Sequence, residues 1–168
     1  MTANVREPYG KLLDDFVAAL KKSFGDNLVS VVLYGSVARG EARKDSDIDV
    51  CLVFRSLPKC RHERTKLIHP ILLDLRERES YLSLYRERYL PEIAPISYTA
   101  GEIEDTKPIF LDMVEDAILL LDDGTFSAKL HGLRKRMAEL GTRKVALDDG
   151  SHYWVLKPGM RLGEEVVI

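Results

Sequence analysis

The sequence predicts an α/β protein built on a small mixed β-sheet flanked by helices, with a C-terminal β-hairpin. Three observations predict it. Short apolar runs such as "NLVSVVLYGS" and "SDIDVCLVF" have the length and β-branched content of buried strands. Two longer stretches carry apolar residues at helical spacing. The order is helix, strand, strand, helices, strand, short helix, strand, helix, hairpin. The first two strands follow each other too closely for a long parallel crossover, so the sheet must be mixed.

Each element has its own signature. In "EPYGKLLDDFVAALKKSFG", Leu12, Leu13, Phe16, Val17, Leu20 and Phe24 form one stripe, and Gly25 is placed to end the helix. "NLVSVVLYGS" is a strand running into a Gly-Ser turn, and "VARGEA" is a short helix whose first turn begins at Ser36. "SDIDVCLVF" is the second strand, burying Ile48, Cys51 and Val53. A helical region follows from about Arg61 to Tyr89, interrupted or bent near Pro70. "IAPISYT" is the third strand, and its Pro95 marks an edge, a strand start or a bulge. "KPIFLDMVED" reads as a short helix and "AILLLDDG" as a fourth strand. "TFSAKLHGLRKRMAELG" is a helix with Leu130, Leu133, Met137 and Leu140 inward, and a hairpin turns at Asp148-Asp149-Gly150.

The 168 residues fit a single domain over 1–168, with a core over about 10–122 and a C-terminal helix and hairpin over about 125–158. Apolar residues make up 45%, enough for a real core. The net charge of −2 with 31% charged residues indicates neither disorder nor general nucleic-acid affinity. Two cysteines, Cys51 and Cys60, make no zinc pattern. No apolar run reaches membrane-spanning length and the N-terminus has no signal-peptide pattern, so the expected location is the cytoplasm.

The chemistry is concentrated in "GSVARGEARKDSDIDV". A glycine at a strand–helix turn lets a ligand approach the backbone, the following helix start attracts an anion, and Ser36 adds a hydroxyl donor. Arg39 could neutralise a phosphate, and Ser46 could orient the loop. Asp47 and Asp49 are two apart on a strand and share a face, where they repel each other unless a cation sits between them or water solvates both. A divalent ion such as Mg²⁺, which takes carboxylate and phosphate oxygens, fits this pattern. A phosphate cradle beside a metal-binding acid pair means phosphoryl or nucleotidyl chemistry.

"GSVARGEARKDSDIDVCLVF" resembles the signature of the DNA polymerase β-like nucleotidyltransferase superfamily, and the small size resembles its minimal, antitoxin-like members. The resemblance covers roughly residues 10 to 100 and leaves the hairpin unexplained. It implies that Gly35 and Ser36 bind the phosphates of an NTP, with ATP favoured, and that Asp47 and Asp49 bind Mg²⁺ as the catalytic acids. It implies transfer of NMP, AMP first among them, to a hydroxyl, such as a tyrosine on a HEPN-type toxin partner. Active relatives carry a third carboxylate on a later strand. "IAPISYT" has none; Ser97 stands at a plausible place, and Glu92, Asp74 and Glu102 are unranked substitutes. Two alternatives stay open: an NTP-binding antitoxin that masks its partner without turnover, and a transferase acting on a small molecule or an RNA end. Homo-oligomerisation is also open, and no membrane partner is expected.

Other features have plainer readings. Tyr81, Tyr85 and Tyr89 at i, i+4, i+8 read as a packing stripe. The basic residues of "HGLRKRMAELGTRK" read as a solvated helix face, and Arg43 and Lys44 as a solvated loop. Of Tyr153 and Trp154, one is expected to fill the core.

Overall fold

The computed structural model describes residue 5, residues 7–161 and residues 164–168. Helix α1 (Gly10–Phe24) leads through a single 3₁₀ turn into strand β1 (Leu28–Leu33), then helix α2 (Gly35–Arg39) and strand β2 (Ile48–Phe54). Helices α3 (Arg61–Arg76) and α4 (Glu79–Arg86) precede strand β3 (Ile93–Thr99). Helix α5 (Pro108–Asp116), strand β4 (Ile118–Asp122) and helix α6 (Thr125–Leu140) follow, and strands β5 (Arg143–Ala146) and β6 (His152–Val155) form the hairpin.

The main sheet has the order β3-β2-β1-β4. β1 is antiparallel to both β2 and β4, and β2 is parallel to β3. The sheet is mixed, as the short β1–β2 connection requires. Alternation sends Ile48, Val50, Leu52 and Phe54 into one apolar cluster with the stripe of α1 and with Ile68, Ile71 and Leu84 of α3 and α4. It sends Cys51 and Val53 to the other face, against Phe110 of α5 and Phe126, Leu130 and Leu133 of α6. Both faces are therefore covered, which is why all six residues of β1 are buried. Each fully buried Leu or Phe contributes about 1.5–3 kcal/mol.

A polar tie joins the sheet to α6. The buried Ser30 hydroxyl donates to Asp122 Oδ1 (2.6 Å), and Asp122 also accepts the backbone N–H groups of Phe126 and Ser127 at the start of α6. Free amides of that first turn are thus satisfied by a strand residue.

The helical region after β2 does not break at Pro70. α3 runs through it, because Pro70 lies on the exposed side, where water can serve the carbonyl that loses its donor. The break comes at Arg78, which is extended (φ −83°, ψ 148°). The last turn of α3 tightens there, with Arg78 N–H donating to Leu75 O (3.0 Å). The buried Ser80 hydroxyl then anchors the start of α4 on Asp15 of α1.

The hairpin rests on α5. Trp154 Nε1 donates to Asp112 Oδ1 (3.0 Å), His152 Nε2 lies 2.7 Å from the same oxygen, and Lys144 pairs with Glu115 (2.9 Å). Trp154 packs on the α5/α6 cluster while Tyr153 stays exposed. The tyrosine stripe of α4 is only partly realised. Tyr81 donates to Glu92 and Tyr89 packs edge-on against Tyr9, but Tyr85 is 59% exposed, and Leu84 takes the core position instead.

Candidate nucleotide site

The two halves of the Gly-Ser…Asp-x-Asp signature meet at one end of the main sheet. β1 ends at Leu33, and its pairing with β2 extends one step further, Tyr34 N–H donating to the Asp49 carbonyl (3.1 Å). Gly35 then turns with φ +74°, in the left-handed region that favours glycine. A Cβ at Gly35 would overlap Asp49 Oδ2 and come within 3.3 Å of Asp49 Cγ. The glycine is needed here twice, for its backbone angle and for the space beside the carboxylate. α2 starts at once, and no side chain caps it. The amides of its first turn are left to be satisfied from outside the helix.

Asp47 and Asp49 flank Ile48, whose side chain is fully buried on the opposite face. The Asp49 carboxyl titrates above its ordinary value, first because burial penalises its charge and then because Asp47 repels it; Arg39 pulls the other way. A half-buried carboxylate next to a second acid is an arrangement that a divalent cation relieves. Mg²⁺ commonly takes one or two protein carboxylates and completes its shell with phosphate oxygens and water, so this pair fits it. Among the described residues no group of three or more acids, histidines or cysteines converges to hold a metal by itself.

The other predicted site residues lie nearby with defined partners. Arg39 is clamped between Glu41 (2.7 Å) and Asp116 (2.9 Å). Ser46 closes the loop: its hydroxyl accepts the Arg43 N–H (2.9 Å), and its own N–H donates to the Arg43 carbonyl. That is a loop-orienting role. Arg43 pairs with Asp45, and Lys44 donates to the Glu87 carbonyl and sits over the Tyr89 ring. In the basic stretch of α6 and β5, Arg134 reaches the Val114 carbonyl, Arg136 reaches Val167 O and Glu139, and Lys144 reaches Glu115.

Sequence reasoning missed Asp116. It ends α5, immediately before β4, and β4 begins beside the end of β1 because Ile118 pairs with Leu33. Only the sheet order brings it to Arg39. Its Oδ1 is buried without a hydrogen-bond partner.

The place of the third carboxylate differs from expectation. β2 and β3 are parallel, with Asp49 in register with Ala94 and Leu52 with Ser97. Register partners point to the same face. Ser97 therefore lies three residues along β3 and on the face opposite the acids, and Ala94 holds the position beside Asp49. The substitutes are engaged elsewhere. Glu92 accepts from Arg76 (2.6 Å) and Tyr81 (2.8 Å), and Asp74 pairs with Arg78 (2.6 Å). Glu102 follows the far end of β3, where Arg64 holds it in a two-pronged pair (2.7 and 2.8 Å).

A sequence model of the nucleotidyltransferase domain family matches residues 13–111. A Methanocaldococcus jannaschii protein, provisionally named a protein adenylyltransferase, is 43% identical over 63 residues, 38% of this chain and 43% of its own length. The chain thus spans less than half of that relative. A second protein of the same organism with the same provisional name is 28% identical over 106 residues, 63% of this chain and 91% of its own. Among solved structures, a nucleotidyltransferase so named from Sulfolobus solfataricus is similar at 24% identity and a TM-score of 0.44, covering 67% of this chain and 79% of its own. A toxin–antitoxin structure with AMP-PNP is similar at 16% identity and a TM-score of 0.44, covering 76% and 94%. The family match starts in α1, takes in Gly35, Ser36, Asp47 and Asp49, and ends in α5: the chain belongs to the nucleotidyltransferase domain family.

Proposed function

We propose that the protein binds Mg²⁺-ATP and transfers AMP to a hydroxyl group of a protein, slowly. The observation that carries this reading is the fit of Gly35 to the Asp49 carboxylate, which leaves no room for a Cβ. It sets the uncapped start of α2 beside an acid pair that favours a cation. The protein acceptor is supported by the naming of the Methanocaldococcus jannaschii relatives; a tyrosine on a HEPN-type partner is the specific form suggested by the signature. Asp47 and Asp49 would hold Mg²⁺, which when bound neutralises phosphate charge. Gly35 lets the turn and the Asp49 carboxylate sit together, Ser36 donates to the phosphates, and Arg39 faces them if it exchanges a carboxylate partner for a phosphate oxygen.

In the transfer, the acceptor oxygen forms a bond to the α-phosphorus while the bond to the pyrophosphate oxygen breaks, and the acceptor proton is lost. A carboxylate beside Asp49 would take that proton. Ala94 cannot, so the proton leaves to water or to a group on the partner, which favours slow turnover. The same residue favours a second reading, an NTP-binding module that masks a partner without transfer.

The experiment is paired. Calorimetry with ATP and Mg²⁺ measures binding, and label from α-phosphate-labelled ATP measures transfer to a co-expressed partner. Binding with slow labelling supports the first reading, and binding with no labelling the second. Absence of metal-dependent ATP binding removes both.

A further inference from the structure

A cation-lined cavity that shares no residue with the Gly35–Asp49 cradle lies at the edge strand β3. It encloses about 470 Å³ between β3 and the face of α3. That volume suits a small organic molecule. Its apolar lining comes from two sides: Ile68 and Leu72 of α3, and Ile96 and Tyr98 of β3, which pack towards the α5/α6 cluster. Lys59 from the loop after β2, Arg61 from the start of α3 and Lys107 from the loop before α5 supply positive charge. The single lining acid, Glu102, is already paired with Arg64. Lys107 makes a long contact with the exposed Asp105 (3.7 Å). A chain of net charge −2 therefore gathers three cations from separate elements around one apolar lining.

An edge strand next to a groove could instead accept an extended peptide. The outer edge of β3 is closed to that. Ile48 N–H donates to Glu92 O and Ala100 N–H to Phe54 O, so residues 92 to 100 with even numbers turn their backbone groups towards β2. The odd-numbered ones face outward. Of these, Pro95 has no N–H, the Ser97 carbonyl accepts from Arg64 (3.3 Å), and the Thr99 N–H donates to Glu102 (2.9 Å). Arg64 is fixed by four hydrogen bonds to three residues, its Nε also donating to the Pro58 carbonyl (2.6 Å). Its side chain, only 11% exposed, makes a rigid wall rather than a mobile ligand.

We propose that this cavity binds a small organic anion. An apolar body lies at the β3 edge between Ile68 and Leu72 on one side and Ile96 on the other, and one phosphate or carboxylate group is held by Lys59, Arg61 and Lys107. The Arg64–Glu102 pair keeps the cavity in shape and keeps a peptide strand out. The cavity lining shares no residue with the nucleotide cradle.

The test uses the full chain without Mg²⁺ and two probes, phenyl phosphate and benzoate, titrated by calorimetry and by backbone amide NMR. We expect saturable binding in the range of about 0.1–1 mM, with shifts at residues 59–69 and 95–98 and none at 35–40. The double variant Lys59→Glu, Lys107→Glu should weaken binding by about tenfold or more, and Asp49→Asn should leave it unchanged. Binding of phenyl phosphate alone assigns a phosphate ligand, benzoate alone a carboxylate, and both the shared anion. Both lysines are surface groups, and Lys59→Ala with Lys107→Ala repeats the test without charge reversal. No saturation by either probe, affinity unchanged in both double variants, or shifts confined to residues 35–40 would overturn the proposal.

Discussion

Gly35 has no room for a side chain because the carboxylate of Asp49 fills the space where a Cβ would stand. The turn and the acid come from different strands and are shaped to each other. Gly35→Val should cost about 1–2 kcal/mol for the left-handed backbone alone, with the displacement of Asp49 added. Urea denaturation should show that loss, and calorimetry should show loss of Mg²⁺-ATP affinity. Ser36→Ala should cost only about 1 kcal/mol of binding. Equal effects from the two would mean that Gly35 is not specially placed.

Asp49→Asn should stabilise the metal-free protein at neutral pH. The folded carboxyl titrates above its unfolded value because it is buried and faces Asp47. In the pH range between the two values the folded state holds the extra proton, so stability falls as pH rises through that window. The variant has no such penalty. Its melting temperature should exceed that of the unaltered protein at pH 7, and the gain should vanish below the unfolded carboxyl range. Mg²⁺-ATP should reverse the order by stabilising only the unaltered protein. A variant less stable at pH 7 without metal would contradict the assignment of repulsion.

Ala94→Asp should raise AMP transfer while changing ATP affinity little, because it places a carboxylate in register with Asp49. Ser97→Asp should not, since that side chain points to the other face. Labelling of a supplied partner would compare the two. Enhancement by Ser97→Asp alone would show that the reacting group approaches from the α3 side.

Glu102→Gln should destabilise the protein at pH 7 by about 1–2 kcal/mol, moderated because the Glu102 side chain is 40% exposed. The two-pronged bond from Arg64, together with the Thr99 N–H and against the cost of burial, holds the Glu102 carboxyl down at about 2. A depressed folded value contributes stability that is full above the unfolded range and is lost as pH falls through the folded value. The unaltered protein should therefore lose its advantage over the variant between the ordinary glutamate range and pH of about 2. Thermal melts across that window would check it, and a constant difference would refute it.

The elements were legible wherever a local pattern sufficed. The stripe of α1, the apolar run of β2 and the turn at residues 148–150 all follow from neighbours in sequence, while Pro95 left the edge as one of three options. The position of the helix break was not, because whether a helix runs through a proline depends in part on whether the freed carbonyl reaches water, and exposure is a tertiary property. Gly35 and Asp49 could be paired from the signature. Their contact, the register that selects Ala94 over Ser97, and the arrival of Asp116 at Arg39 all depend on which strands lie side by side, which no single stretch of chain encodes.

α5 carries three acids at i, i+3 and i+4 with different duties. Asp112 and Glu115 hold the hairpin, and Asp116 holds Arg39 at the edge of the nucleotide cradle. The family match ends at residue 111, just before these three. A nine-residue helix is a stiff rod, so the appendage and the arginine are two loads on one beam. Removing the hairpin would therefore be felt on the cradle side of the molecule, in the alignment of a single guanidinium, and a shortened chain that keeps every signature residue is not an equivalent protein.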